Sequence, residues 1–216
     1  MIKIFGGADV RLANLCIDGK RILDSIVKVE TGSCVWLDAC EFQLHRGGID
    51  VSCNSSAVLT GCTFRGGDSM AVRVDPQAKR VIVLDSCISR CGAGSEPYRH
   101  GGDPWWLPGD AGAIEVSASG MGARQRKEEQ ASVKLEVRRT KIISCFGHAL
   151  SYRTDYELKD RSTGKLVWPG QAEITLSDNT IKSNGLAIPG AADDANAEAF
   201  HLNSQPIGDD RPGFRD

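Results

Sequence analysis

The chain has 216 residues with 26 basic and 28 acidic side chains, a formal charge of −2, so no strong field draws it toward nucleic acid or anionic lipid. With 41% apolar residues it can build a sizeable core, and its length suits one domain. No apolar run reaches the ~20 residues of a membrane-spanning helix. Met1-Ile2-Lys3-Ile4-Phe5-Gly6-Gly7 lacks the long apolar region of a secretory signal, which leans the reading toward a cytoplasmic protein.

Residues 1–34 read as a degenerate first turn or cap, with Val10, Leu12 and Leu15 followed by Ile26-Val27-Lys28-Val29. Residues 35–190 carry a repeat. An apolar residue followed by a turn ends on Cys40, Cys62, Cys87, Thr140 and Asn179, with Cys16 as an earlier member. Phe42, Phe64, Ile142 and Ile181 each stand two places further on. A small residue then opens a short alternation: Gly48-Ile49-Asp50-Val51, Ala71-Val72-Arg73-Val74, Ala113-Ile114-Glu115-Val116 and Ala149-Leu150-Ser151-Tyr152. Ala187-Ile188-Pro189-Gly190 begins a further copy and fails. A unit of about 23 residues, stretched only by insertions, marks a repeat architecture. Three period-2 runs per unit, separated by Gly, Ser, Asn and Asp, predict strands. One unit cannot bury its apolar face alone, so the units must stack into one continuous core. The glycine pairs Gly47-Gly48 and Gly66-Gly67 mark bends where positive φ is expected.

Three insertions interrupt the repeat. The first lies between Cys91 and Ala113 and holds Tyr98, His100, Asp103, Trp105 and Trp106; a loop of that length is usually functional or disordered, and its aromatics argue for order. The second spans residues 117–132 and turns charged at 124–129, consistent with a short helical turn. The third, 153–170, carries Tyr156 and Trp168 around Ser162-Thr163-Gly164-Lys165 and reads as a hairpin flap. Residues 191–216 read as a cap and flexible tail. The eight cysteines form no CxxC pair, which argues against zinc, and their repeat positions favour reduced, structural thiols.

On these columns the chain resembles the right-handed parallel β-helix group, the pectate-lyase-like repeat family. The resemblance implies an all-β, single-stranded solenoid of about six turns. It also implies a stacked polar ladder at the tight turn, here Cys40, Cys62, Cys87, Thr140 and Asn179. In enzymes of that group the polysaccharide cleft lies over the sheet that these insertions flank.

In that sheet the alternation sends Ile114 and Val116 inward and leaves Asp50, Arg73, Glu115 and Ser151 in one outward column. Asp50 and Glu115 would stand about 9.6 Å apart, two strand spacings, a separation that suits inverting glycoside hydrolysis. Alternatively Arg73 between two acids would serve a lyase acting on an acidic sugar, with Ca2+ held by Asp50, Glu115 or Asp110. A third reading is a charge ladder that only stabilises the sheet. His148, at the bend into the same sheet near Tyr152, is a candidate acid or base or a structural histidine. His100, Asp103, Trp105, Trp106, Tyr152 and Trp168 are candidate ligand contacts, with the tryptophans as a stacking platform, a partner anchor or simple packing. His45 and Arg46 read as solvent-exposed, and Trp36 as outward on the second sheet. The leading expectation is a binding or scaffold module for a polysaccharide or protein partner, without cofactor, metal, nucleic acid or membrane. The alternative is a polysaccharide lyase or inverting hydrolase. An unfinished solenoid also exposes edge strands that allow end-to-end self-association.

Overall fold

The computed structural model describes residues 1–20, 22, 25–52, 54–92, 112–117, 133–146, 148–153, 158–159, 166–167, 172–182, 184 and 200–203. The first turn of the chain runs through β1 (Ile2–Ile4), β2 (Asp9–Ala13) and β3 (Cys16–Asp18), the second through β4 (Val27–Val29), β5 (Cys34–Asp38) and β6 (Glu41–Gln43). The third turn is β7 (Ile49–Val51), β8 (Ser56–Thr60) and β9 (Thr63–Arg65); the fourth is β10 (Val72–Val74), β11 (Arg80–Leu84) and β12 (Cys87–Ser89). The fifth is β13 (Ile114–Ser117), β14 (Val133–Arg138) and β15 (Lys141–Ile143). In the sixth, β16 (Leu150–Arg153) precedes a small antiparallel hairpin, β17 (Leu158–Lys159) with β18 (Leu166–Val167), before β19 (Ala172–Ser177) and β20 (Thr180–Lys182). β21 (Phe200–Asn203) opens a seventh turn.

Every equivalent strand pairs in parallel with the one a turn away. Sheet A is β1-β4-β7-β10-β13-β16-β21, sheet B is β2-β5-β8-β11-β14-β19, and sheet C is β3-β6-β9-β12-β15-β20. The described residues form a parallel β-helix of six turns and a further strand. Within residues 1–34, read as a degenerate first turn or cap, Ile2-Lys3-Ile4 is a strand of sheet A in register with Val27-Lys28-Val29. The strand that follows β16 in sheet A is Phe200–Asn203, from the stretch expected to be cap and tail; Ala187–Gly190 lies outside the described residues. The hairpin of the third insertion is present, and the second insertion lies outside the described residues.

The core is built from columns. Val35, Ala57, Val81 and Leu135 stack inside sheet B, with Leu37, Leu59, Val83 and Val137 beside them, all fully buried. In sheet C, Phe42 and Phe64 stack with ring centroids 4.8 Å apart at 14°, and Ile88 and Ile142 continue the column. The inward residues of the end turns, Ile2, Val10, Leu12 and Ile17 at one end and Ile174 and Ile181 at the other, are only partly buried.

The corner between sheets B and C shows why so regular a bend is tolerated. Each turn places one residue at positive φ: Asn14, Ala39, Gly61, Asp85, Arg139 and Asp178, at 47 to 63°. Such a conformation is uncommon for residues other than glycine and persists where its surroundings over-determine it. The next residue supplies that restraint. Cys40 and Cys62 lend their thiols to the carbonyls of Leu12 and Leu37 one turn back. The Cys62 N–H then donates to Ser86 Oγ, the Ser86 N–H to Thr140 Oγ1, and the Thr140 N–H to Asn179 Oδ1, while Asn179 Nδ2 returns a bond to the Val137 carbonyl.

This is the polar ladder, with Ser86 in place of the expected Cys87, and the repeat column is shifted by one residue at Cys16 as well. Cys87 pairs with Thr63 and Lys141, and Cys16 with Glu41, so Ser86 and Leu15 occupy the ladder positions. The corrected alignment also restores the spacing, since Ile88 follows Ser86 by two places as Phe64 follows Cys62.

The corner between sheets C and A repeats the device with Leu44, Gly66, Arg90 and Ser144 at positive φ. Here the glycine pairs work differently from expectation. Only Gly66 has positive φ; Gly48 and Gly67 are needed for space, because a Cβ would stand 2.2 Å from the Ala71 carbonyl oxygen and 2.1 Å from His45 Cε1, respectively.

Thr140→Val keeps the volume of a fully buried side chain and removes the hydroxyl that accepts from Ser86 and donates to the Arg138 or Val83 carbonyl. It is expected to cost about 1–3 kcal/mol, read as a lower urea midpoint with an unchanged slope. A midpoint equal to wild type would show the ladder to be dispensable.

Candidate functional site

Strands of sheet A are short alternations, so Lys3, Lys28, Asp50, Arg73, Glu115 and Ser151 form one outward column, and His201 is in register with Ser151. The four residues expected to share a column do so. Lys3 and Lys28 extend it at one end, and the signal was available, since Ile2-Lys3-Ile4 and Val27-Lys28-Val29 have the same apolar-charged-apolar form as Ile49-Asp50-Val51.

The middle of the column is an ion-pair stack. Arg73 Nε donates to Asp50 Oδ1 at 3.1 Å and Arg73 Nη2 donates to Asp50 Oδ2, a two-point clamp. Burial works to depress the Arg73 pKa, but the adjacent Asp50 carboxylate, with Glu115 and Asp75 beyond it, outweighs that and the net direction is upward. Asp50 is 2% exposed and Glu115 0%, although both stand on the outer side of the sheet. At the first two turns, Lys3 and Lys28 both reach Glu30, at 3.0 and 2.8 Å, and these two cations lower its pKa against the opposing effect of burial.

The chain entering β13 helps to close the far end. A Cβ on Gly112 would lie 2.8 Å from Ser151 Cβ, and Ser151 is fully buried. His148 is partly exposed at the bend into β16, its carbonyl accepting from the Ala113 N–H at 2.7 Å. Tyr152 is in register with Val116, in the column whose other members face the core, not in the Glu115 column. The candidate contacts His100, Asp103, Trp105, Trp106 and Trp168, and the possible calcium ligand Asp110, lie outside the described residues. Their insertions nevertheless join described residues of one sheet: Gly112 leads into β13, Ser117 ends it, and Arg153 ends β16. Among the described residues no cluster of three or more His, Cys, Asp and Glu is arranged to hold a metal ion. Asp50 and Glu115 flank a guanidinium, which does not suit a shared calcium site.

His45 departs from expectation. It is fully buried, whereas Arg46 is partly exposed. The positive φ of Leu44 leaves that leucine on the surface, and His45 then occupies the position on its turn that Gly67, Cys91, Cys145 and Asn184 hold on the turns that follow. Because Gly67 has no side chain, the imidazole stands over it, edge-on to Phe64, and brings Nε2 to 3.8 Å from Cys91 Sγ. The neighbouring Cys145 thiol and burial together push the Cys91 pKa up, and Cys91 Sγ lies 3.4 Å from the Ser89 carbonyl oxygen. Asn184 closes the stack, accepting from the Cys145 N–H at 3.0 Å and donating to the Ile142 carbonyl at 3.0 Å. Histidine beside Arg46 in a Gly-rich turn gives no sequence signal of burial; the gap at Gly67 is the feature that admits it.

No family model, curated protein or solved structure matches the chain.

Burial moves the His45 pKa from 6.5 down to about 4. The folded protein therefore keeps His45 neutral where the unfolded chain takes up a proton. Stability is full above pH 6.5 and falls as pH drops toward 4, by up to about 3 kcal/mol from this group. Denaturant unfolding of wild type and His45→Gln at pH 7 and pH 4 should differ in pH dependence by about that amount. Identical pH dependences would place the titration elsewhere.

Proposed function

We propose that this protein is a binding or scaffold module that engages a glycan or protein partner over sheet A, with the insertions around β13 and β16 supplying the contacts. The observation that carries this reading is the state of the acids on that sheet. Asp50 is clamped at both oxygens by Arg73, and Glu115 is sealed from solvent. An inverting hydrolase needs one carboxylate free to activate a water and room between the pair for water and sugar; here Arg73 stands between them. The column is better suited to hold three neighbouring turns in register than to transfer protons.

Trp105, Trp106 and Trp168 give the insertions aromatic surface of the kind that stacks on sugar rings or anchors a partner. A lyase or hydrolase of acidic polysaccharide is the second reading. It is favoured by one feature: Arg73 keeps about a third of its side chain exposed, enough to meet a uronate carboxylate. End-to-end association through the partly covered end turns is compatible with either reading.

A panel of neutral and acidic polysaccharides, with and without Ca2+, tests the proposal by thermal shift. A polymer present at about 100 times its Kd adds about 2.7 kcal/mol to the native state and raises Tm. The pair Trp105→Ala and Trp106→Ala should abolish that rise while leaving the unliganded melting curve cooperative. New reducing or unsaturated ends appearing with a polymer, and lost in Arg73→Ala and Glu115→Gln, would replace the scaffold reading with the enzymatic one. If no polymer shifts Tm, the glycan reading fails and the partner to seek is a protein.

A further inference from the structure

Sheet B presents a different kind of outer face. Its middle outward column reads Arg11, Trp36, Val58, Ile82 and Glu136 on five successive turns. Trp36 is 37% exposed, and Val58, Ile82 and the neighbouring Leu84 are partly exposed, so the tryptophan is one end of an apolar strip and not an isolated side chain. Charged residues bound the strip at both ends. Sheet C offers no such strip, since Glu41, Gln43, Thr63, Arg65, Ser89 and Lys141 separate Cys87 and Ile143 on its outward side.

The charges at the two ends are complementary. On β2 and β5 two acids, Asp9 and Asp38, accompany one base, Arg11; on β11 and β14 three bases, Arg80, Lys134 and Arg138, accompany one acid, Glu136. Within the chain Arg11 reaches Asp38 at 2.6 Å, Glu136 is shared by Arg138 at 2.6 Å and Arg80 at 3.3 Å, and Lys134 reaches Glu173 on β19 at 3.4 Å, which leaves the basic end one positive charge in excess. Each end keeps a surplus of the sign that the other lacks, and a groove of about 370 Å³ lies among Arg80, Lys134, Glu136, Arg138 and Glu173.

We propose that the outer face of sheet B is a self-association surface, on which a second copy of this chain packs about a two-fold axis running along β8. This rotation keeps each column and reverses the order of the turns. Val58 meets its own copy, Trp36 meets Ile82, Arg11 enters the groove to meet Glu136, and Asp9 meets Lys134. Asp38 comes diagonally to Arg138. Two-fold interfaces are self-complementary in this sense, and aligned face-to-face packing is an ordinary way for two sheets to meet.

The alternative axis, parallel to the helix, would set Arg11 on Arg11 and Glu136 on Glu136, so charge selects the first. Five strands about 4.8 Å apart and five residues of about 3.3 Å give a face of roughly 400 Å² per copy. The total of about 800 Å² falls below the ~1,200 Å² of a standard interface. The dimer is therefore weak, and its charge pairs decide its orientation and salt dependence.

Sedimentation equilibrium of the full chain, at concentrations up to the high micromolar, tests this. The expected result is a monomer–dimer equilibrium that weakens as salt is raised. Arg11→Glu and Glu136→Arg should each weaken it by at least about tenfold, because each sets like charges together twice. An equimolar mixture of these two variants should recover the dimer, since both cross-contacts then become opposite pairs, and the double variant in one chain should recover it too. Thermal melts check that each variant folds; if either does not, Asp9→Lys mixed with Lys134→Asp runs the same test. A wild type that stays monomeric throughout, or variants that associate as wild type does, would overturn the proposal, the second outcome pointing to the open ends of the helix.

Discussion

Each turn of this helix hydrogen-bonds to the turn before it and the turn after it, about 4.8 Å away on either side. Nearly everything else depends on that spacing. It converts sequence position into a column, so the environment of a side chain is set by what occupies the same place one turn away. Valines and leucines stack on one another, Phe42 lies on Phe64, and a serine, a threonine and an asparagine complete one another's hydrogen bonds at the corner. Stability in such an array is close to a sum over neighbouring turns. The conformational cost of a residue such as Ala39 or Arg139 at positive φ is tolerated because the same bend recurs above and below it.

Stacked columns also make much of the fold legible in the sequence. Alternations such as Ile49-Asp50-Val51 and Ala113-Ile114-Glu115-Val116 identify core and surface by themselves, and the ion-pair column of sheet A follows from them. Corners are harder. There the backbone leaves the period-2 pattern for two or three residues, and only hydrogen bonding shows which residue turns inward. By sequence Cys87 is equivalent to Cys62, since both are cysteines after a turn, whereas the residue that accepts the Cys62 N–H is Ser86. The inward turn of His45 is hidden for the same reason. Neither burial of a histidine nor the room made for it by Gly67 leaves a trace in local composition.

The two charged faces make opposite use of similar residues. On sheet A, Asp50 and Glu115 are buried on either side of Arg73, and the Asp50–Arg73 pair ties neighbouring turns together. On sheet B, the acids and bases are drawn toward opposite ends of an apolar strip, and several remain largely in solvent. The first arrangement favours register within the chain. The second leaves a surplus of opposite sign at the two ends of the strip, which gives the face a direction that a second molecule can match.

The reach of His45 across Gly67 to Cys91 links the second turn to the fourth. Solenoids ordinarily grow and shrink by gaining or losing whole units, because each unit needs only its immediate neighbours. Here the third turn is bracketed by a contact that skips it. Removing that turn would drive the imidazole into the cysteine, and duplicating it would strand the imidazole over a second vacant position. This part of the helix has a fixed count, and variation in its length belongs to the turns on either side.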